Sequence, residues 1–593
     1  MDTRSNWTIP SLVRSTNGRD GGRLKFSWVE RQRAIDVSAT RCAEVLIIGG
    51  GVAGCSLATH AALLGLDCVL VERADFAAGA SSHSTGLAHA GLRYLAQGRI
   101  GYVLREARER LQLERLAPHC VRPFPFLFPV YRDDAYSLRQ VRWGTAVYQA
   151  LYRLAALGTG ARIARGMRIL DRDEVLQRVP TLASDGLQGA AEYFVDARLD
   201  DASFTLGFAQ RAAELGARMI TRATVVSFDE PGRGPACVHV RDGMTGQLFS
   251  LRARLIVNTA GAWIDQIRAL AGLKQPLLRN SSGIHLIVDR LADDPLIFST
   301  RVPGQVFFVL PFGRRSLIGT TDTPQPGPPD AVRPGTAEIL QLIGELSRRF
   351  PATRSTDGSD ARARRDYLAA HGHGLRWGIR PLLRADGSTL HASRAHRLVK
   401  DSAWLWSLPG VKLTAGRQAG EQAARAAWQA LRGGTPPVRQ LSALPGGDFA
   451  DMPTLLAEAA QRHGSWSHDQ LVHLTGRYGA AYPDVVRWAD AEPQGRERVL
   501  PDEPWLHAEA AYAVHHEMVL GLNDFLWRRT RWAELRDLPD AVVARVAAVL
   551  GRHLQWSPAT CAAELEVFHR ERMRRALPLG AIDGGAAPAP ARR

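Results

Sequence analysis

The sequence predicts a mixed α/β fold with a separate helical region toward its C-terminal end. Three observations predict it. Residues 44–72 read as strand, glycine-rich turn, helix and second strand. Strand-like alternating runs, such as 236–240 and 306–310, recur through the middle of the chain. Residues 452–577 are rich in alanine, leucine and arginine at helical spacing. At 593 residues the chain has room for two or three domains with ample core.

The first unit carries the most specific signal. An apolar run, Val45 to Ile48, leads into Gly49-Gly50-Gly51-Val52-Ala53-Gly54, which contains G-x-G-x-x-G. In that pattern Gly49 lets the chain turn sharply, Gly51 lets backbone approach a pyrophosphate, and Gly54 lets the helix pack close to the strand. Free N–H groups at the helix start then face the phosphates. A second apolar run, Cys68 to Val71, ends at Glu72, 18 residues beyond Gly54 and placed to accept hydrogen bonds from ribose hydroxyls. Strand, glycines, helix, strand and terminal acid in register specify a dinucleotide site far better than the glycines alone.

Several other classes are disfavoured. The 44–72 stretch is not read as a membrane span, because three consecutive glycines and Asp67 interrupt it, and no other window holds 18 uninterrupted apolar residues. The first 40 residues contain no hydrophobic block of a secretory signal. Six cysteines without C-x-x-C spacing indicate neither a disulfide framework nor a zinc site, so no metal is expected. The net charge of +16 is spread along the chain with no basic run of five, which argues against a nucleic-acid partner. Nearly every cation is arginine; Lys25, Lys274, Lys400 and Lys412 are the only lysines. A lysine kept in such a chain marks a place where a compact ammonium is useful. The chain reads as cytoplasmic.

Beyond Glu72 lies Ala80-Ser81-Ser82-His83-Ser84-Thr85-Gly86-Leu87-Ala88-His89-Ala90-Gly91-Leu92-Arg93-Tyr94-Leu95. Small and hydroxylated residues suit a loop laid against a cofactor, followed by a helix that places His89 and Arg93 on one face. This stretch resembles the signature S-S-x-x-x-x-L-x-H-x-G-L-R-Y-L of the FAD-dependent glycerol-3-phosphate dehydrogenases. Further matches follow in order: Tyr193 to Asp201, Val257 to Trp263, Gly283-Ile284-His285-Leu286, and Val309-Leu310-Pro311 with Ile318-Gly319-Thr320-Thr321-Asp322. Gly378-Ile379-Arg380-Pro381-Leu382, Lys412-Leu413-Thr414 with Arg417, Glu517-Met518, and Trp527 to Arg531 complete the series, so the likeness covers roughly residues 42–535.

The resemblance implies FAD as cofactor, and a Rossmann-like FAD-binding lobe assembled from separated segments beside an antiparallel-sheet substrate lobe. Residues 1–40 read as an N-terminal extension, 41–440 as the discontinuous oxidoreductase domain, 441–577 as a C-terminal helical domain, and 578–593 as a disordered tail. Residues 1–40 and the tail read as weakly structured. The implied activity is oxidation of sn-glycerol 3-phosphate to dihydroxyacetone phosphate, with electrons passed to quinone. Another hydroxy or amino substrate on the same scaffold, or dioxygen as acceptor, remains open.

Such chemistry needs a base for the hydroxyl proton, and histidine suits it. The matching motifs nominate His285 beside the reacting hydroxyl, with His89 orienting it. Arg93 and Arg380 are the expected phosphate clamp, with Tyr94 as an added donor. Lys412 is expected in a turn near the flavin ring, where a point charge stabilises its reduced form. Cofactor contacts are expected from Gly49, Gly51, Gly54, Glu72, Ser81, Ser82, Asn258, Gly261, Gly319, Thr320, Thr321, Lys412, Leu413 and Thr414.

The sequence also departs from the family pattern. The family commonly has lysine at Gly86 and Ser282, glycine at Ala90 and Val411, and tyrosine at Gly416. Two missing lysines remove positive charge from the expected site. Transfer to quinone implies contact with a membrane surface, peripheral on the cytoplasmic face of the inner membrane. Residues 137–170, apolar and aromatic with a basic flank, are the candidate for it. A homodimer is also compatible with the resemblance.

Overall fold

The computed structural model describes residues 26–582 apart from residues 90, 96–97, 160–165, 230–231, 233, 301–304, 354–359 and 385–395. Its first sheet is built around the strand Ala43–Ile48, which runs parallel to Cys68–Val71 on one side and to Leu248–Asn258 on the other. The expected strand–turn–helix follows: Gly49 takes φ +111° and the helix Val52–Leu63 begins at once. A Cβ at Gly54 would collide with the carbonyl of Gly49, so only glycine lets the helix sit this close to the turn. Helix Gly416–Arg432 packs against the same helix through Ala419, Gly420, Ala423, Ala424 and Ala427, a face of small residues that brings the two backbones together.

The second sheet is largely antiparallel, as the resemblance implies. Two twelve-residue strands, Leu278–Asp289 and Gly372–Leu383, pair along nearly their whole length. Arg315–Gly319, Val306–Phe312, Leu296–Ser299, Phe126–Tyr131 and Leu187–Tyr193 extend the sheet from there. Helix Thr336–Arg349 buries Ile339, Leu342, Ile343 and Leu346 beneath it. The strands read at 236–240 and 306–310 are present as Ala236–Asp242 and Val306–Phe312.

Helices from Met452 to Arg575 enclose a third core, in which Trp505 stacks on Trp532 with ring centroids 5.0 Å apart. One expectation fails at the other end. Residues 28–40, read as weakly structured, form a helix capped by Ser27. Its Arg31 is buried and donates to the carbonyl of Thr221 at 2.8 Å and to Asp242 at 2.5 Å, an anchor with no local sequence signal. Residues 1–25 and 583–593 lie outside the described residues. No helix among the described residues is long and apolar enough to cross a membrane.

Buried ion pairs join the three parts. Asp75, just past the second strand, accepts from Arg528 at 2.6 Å and from Arg529 at 2.7 and 2.9 Å. Both arginines stand on a wide π-helical turn, Asp524–Arg529, of the helical region. Burial opposes ionisation of Asp75, but Arg529 and Arg528 outweigh it and hold the carboxyl well below the usual range. Removing this acid leaves two guanidinium groups in the interface short of a partner. Asp75→Ala is expected to cost about 3–5 kcal/mol in denaturant unfolding, and a loss under about 1 kcal/mol would show that the pairs do not hold the parts together.

Candidate active site

Two cavities lie between the sheets. The first, of about 680 Å³, opens at the glycine turn and is lined by Gly49, Gly51, Glu72, Ser81 and Gly261 from the expected set. Glu72 closes one end: its carboxylate accepts from the N–H of Gly50 at 2.6 Å and of Ala74 at 2.8 Å. Burial pushes this carboxyl upward against those two donors. Ser81 accepts from the first helical amide, Val52, at 3.0 Å, so it completes the phosphate-facing helix end.

The other three expected residues of this turn region act through structure. Gly54 packs the helix. Asn258 does not line the cavity; its amide donates to the carbonyl of Ile264 at 3.0 Å and its oxygen accepts from Ala260 at 3.2 Å, which shapes the turn beside the site. Ser82 is buried and presents its carbonyl to Arg376.

The second cavity, of about 930 Å³, shares Ala80, His83, Gly378, Ile379, Gly410 and Val411 with the first. A dinucleotide held at the glycine turn can therefore extend a ring system across this common border. His285, His89, Arg380, Thr320, Thr321, Lys412, Leu413 and Thr414 all line the second cavity. Its floor follows from strand register. His285 pairs with Arg376, Gly283 with Gly378, and Ser281 with Arg380, so these six positions share one face. The glycine pair leaves a notch between the larger side chains. A Cβ at Gly283 would collide with the Arg380 guanidinium, and one at Gly319, the partner of His285 on the neighbouring strand, would collide with the imidazole.

His285 is buried, and its Nε2 lies 3.0 Å from the Thr85 hydroxyl, while Nδ1 has no protein partner. Burial, then the charges of Arg376 and Arg380, push its pKa well below 6.5, so the ring is neutral near neutral pH. Arg380 donates to the carbonyls of Ser282 at 3.0 Å and Thr321 at 2.9 Å and to the Thr320 hydroxyl at 2.9 Å, with Asp322 at 3.3 Å. It therefore braces the 320–322 segment as well as facing the cavity. Lys412 contacts the Tyr102 hydroxyl and stands 4.8 Å from the Tyr94 ring and 4.7 Å from that of Tyr102. Tyr94 thus lies beneath the ammonium and does not itself line the cavity.

One expectation is corrected here. His89 precedes the short helix Leu92–Leu95, so it does not share a helical face with Arg93. Neither Gly86 nor Ser282, the positions of the missing lysines, lines the cavity. Ser282 instead lies 3.3 Å from the buried carboxylate of Glu338. Gly319 lines neither cavity and serves as the space for His285. The side chain of Arg93, and Ala90 altogether, lie outside the described residues. Sequence reasoning missed Thr85, an unassigned position in the signature, and Arg376, whose signal was its alternation with Arg380 along one strand.

The family of FAD dependent oxidoreductases matches residues 44–426, and the C-terminal domain of alpha-glycerophosphate oxidase matches residues 440–561. Glycerol-3-phosphate dehydrogenase 2 of Mycobacterium tuberculosis is 33% identical over 503 aligned positions, covering 82% of this chain and 80% of that protein. Alpha-glycerophosphate oxidase of Streptococcus pneumoniae is 30% identical, covering 92% and 98%. The crystal structure of the glycerol-3-phosphate dehydrogenase from Bacillus halodurans complexed with FAD superimposes with a TM-score of 0.75 at 25% identity, covering 93% of this chain and 99% of that one. The cofactor is therefore FAD, and the glycine turn, the Glu72 carboxylate and the paired cavities fit it.

The glycine floor generates a prediction. Gly319→Ala should displace the His285 imidazole and slow reduction of the flavin about 100-fold, leaving FAD content unchanged. Rapid-mixing absorbance checks this, and parent-like reduction would remove His285 from the reacting centre.

Proposed function

Because the chain belongs to the FAD-dependent oxidoreductase family, we propose that it oxidises sn-glycerol 3-phosphate to dihydroxyacetone phosphate and passes the electrons to a membrane quinone. The observation that carries this reading is the meeting of His285, Arg380 and Lys412 on one cavity that borders the dinucleotide cavity. Relatives named for glycerol-3-phosphate dehydrogenases support the substrate. FAD, when bound, supplies the hydride acceptor. His285 takes the hydroxyl proton from its place on the cavity lining, and the depressed pKa keeps the ring unprotonated and available. His89 orients the hydroxyl from the same cavity.

Arg380 and Arg93 take the phosphate, and Lys412 adds a compact positive charge beside the reacting carbon. Tyr94 and Tyr102 fix that ammonium through their ring faces. Glu72 accepts from the ribose hydroxyls of the cofactor, and the amide at Ala53, next to the Val52 amide that Ser81 holds, takes its diphosphate. In this reading residues 41–440 are the catalytic body and 441–577 its helical domain.

The acceptor reading rests on one helix. Leu138–Ala156 lines the second cavity through Gln140, Val141, Gly144 and Thr145. Its outer side exposes Trp143, Val147 and Leu154, continued by Leu157, with Arg139, Arg142 and Arg153 among them. An apolar stripe with arginines suits the headgroup region of an anionic bilayer, so the enzyme docks peripherally on the cytoplasmic face. Dioxygen is the second reading, favoured by the relatives named oxidase.

Anaerobic glycerol 3-phosphate should bleach the flavin band of the holoenzyme, and a band that persists would reject the substrate. The bleaching rate should hold steady as pH falls to 6.5 and drop only well below it, since the neutral His285 is the active form. In Thr85→Val that acid limb should move, and in Thr85→Ser it should return. Aerobic peroxide release equal to substrate consumed would replace quinone with dioxygen. Flotation with anionic vesicles should retain the parent protein and lose Trp143→Glu; equal retention of both would move the membrane contact elsewhere.

A further inference from the structure

The cofactor cavity has a wall that no dinucleotide motif supplies. The last long helix, Pro558–Arg575, contributes Glu564, Val567, Glu571, Arg574 and Arg575 to its lining. These residues follow the span 440–561 matched by the C-terminal family. The helix is lightly packed: of its 18 residues only Phe568 and Arg575 are buried. Point contacts hold it to every part of the molecule. Glu564 accepts from the N–H of Leu522 at 2.8 Å, within the helical region. Arg575 donates to Glu534 at 2.8 Å and to the ring of His83 at 3.1 Å, in the signature loop. The Arg574 guanidinium lies 4.9 Å from the ring centroid of Trp377, on the substrate sheet.

Charge singles out one residue of this wall. Six arginines line the cavity: Arg73, Arg222, Arg333, Arg528, Arg574 and Arg575. Four of them have a carboxylate within 2.8 Å: Asp330 for Arg73, Asp524 for Arg222, Asp75 for Arg528 and Glu534 for Arg575. Those charges are largely spent on the protein. Arg574 meets Glu571 at 3.4 Å, feels the Asp330 carboxylate already paired with Arg73 at 2.8 Å, and has its side chain 41% exposed. Arg333 donates to the carbonyls of Asp330 at 3.0 Å and Val332 at 2.8 Å, both neutral acceptors. FAD brings a diphosphate with two negative charges into this cavity.

We infer that Arg574 is a cofactor-binding residue: from the C-terminal helix, with Arg333 as the second cation, it engages the FAD diphosphate and fastens the helix over the bound dinucleotide. The inference rests on FAD binding alone and is independent of the substrate and the acceptor. It makes the C-terminal helix part of the cofactor site, although its sequence carries no dinucleotide signature.

The test uses FAD-loaded protein and reads flavin release, not turnover. Parent, Arg574→Ala, Arg574→Glu and Arg574→Lys would be diluted at low and high salt, and the rise in free-flavin fluorescence followed. Arg570→Ala is the control, because Arg570 is 70% exposed on the same helix and does not line the cavity. Arg574→Ala should raise the FAD dissociation constant about tenfold, Arg574→Glu more, and Arg574→Lys little. The differences should shrink as salt screens the charge. Parent-like retention of FAD by both the alanine and the glutamate variants would overturn the inference. So would an equal loss in Arg570→Ala, which would assign the effect to the helix and not to Arg574.

Discussion

The arrangement depends on one buried carboxylate, Asp201. It is fully buried at the start of helix Asp201–Glu214, and it accepts from the backbone N–H and hydroxyl of Ser84 at 3.0 and 2.7 Å. Arg376 of the substrate sheet approaches it at 3.3 Å, and Arg531 of the helical region is paired with it directly. One acid thus fixes the signature loop, the floor strand and the third core relative to each other. A charge of this kind tolerates burial only while its partners are all present. Arg531 reaches it from a left-handed backbone, φ +56°, a conformation the surrounding contacts must impose.

From that junction the reacting centre follows. Asp201 holds Ser84, and Ser84 precedes Thr85, whose hydroxyl touches His285. It also holds Arg376, which lies opposite His285 in the sheet and contributes to keeping that ring neutral. Burial, helped by the positive charges of Arg376 and Arg380, holds the histidine in its unprotonated form.

Much of this was legible because the motifs carry their own physics. Gly283, Gly319 and Gly378 come from three separate motifs, and strand pairing brings them together as the floor on which His285 and Arg380 lie. The strand, turn and helix at 43–63 were equally plain, since each glycine had a steric task. What stayed hidden depends on partners far along the chain. Arg31 finds Asp242, Asp75 finds Arg529, and Arg575 finds His83 across hundreds of residues. In a chain with 75 basic residues no spacing rule distinguishes those arginines from surface ones. Asn258 also holds protein backbone, and Ser82 gives its carbonyl to Arg376, because a polar residue beside a cofactor loop serves the protein's own structure as readily as a ligand.

The nearly complete replacement of lysine by arginine has a consequence for the junctions between the parts. Guanidinium groups stay protonated at any pH a protein meets, so alkali cannot discharge the cationic side of the Asp75, Asp201 and Glu534 clusters. For Asp75, whose pKa is depressed below the ordinary 3.8, the stabilisation is complete above that value and lost only as pH falls through the lower one. The Asp75 link between helical region and flavin lobe is therefore one-sided in its tolerance, secure toward base and weakened only at the acid extreme.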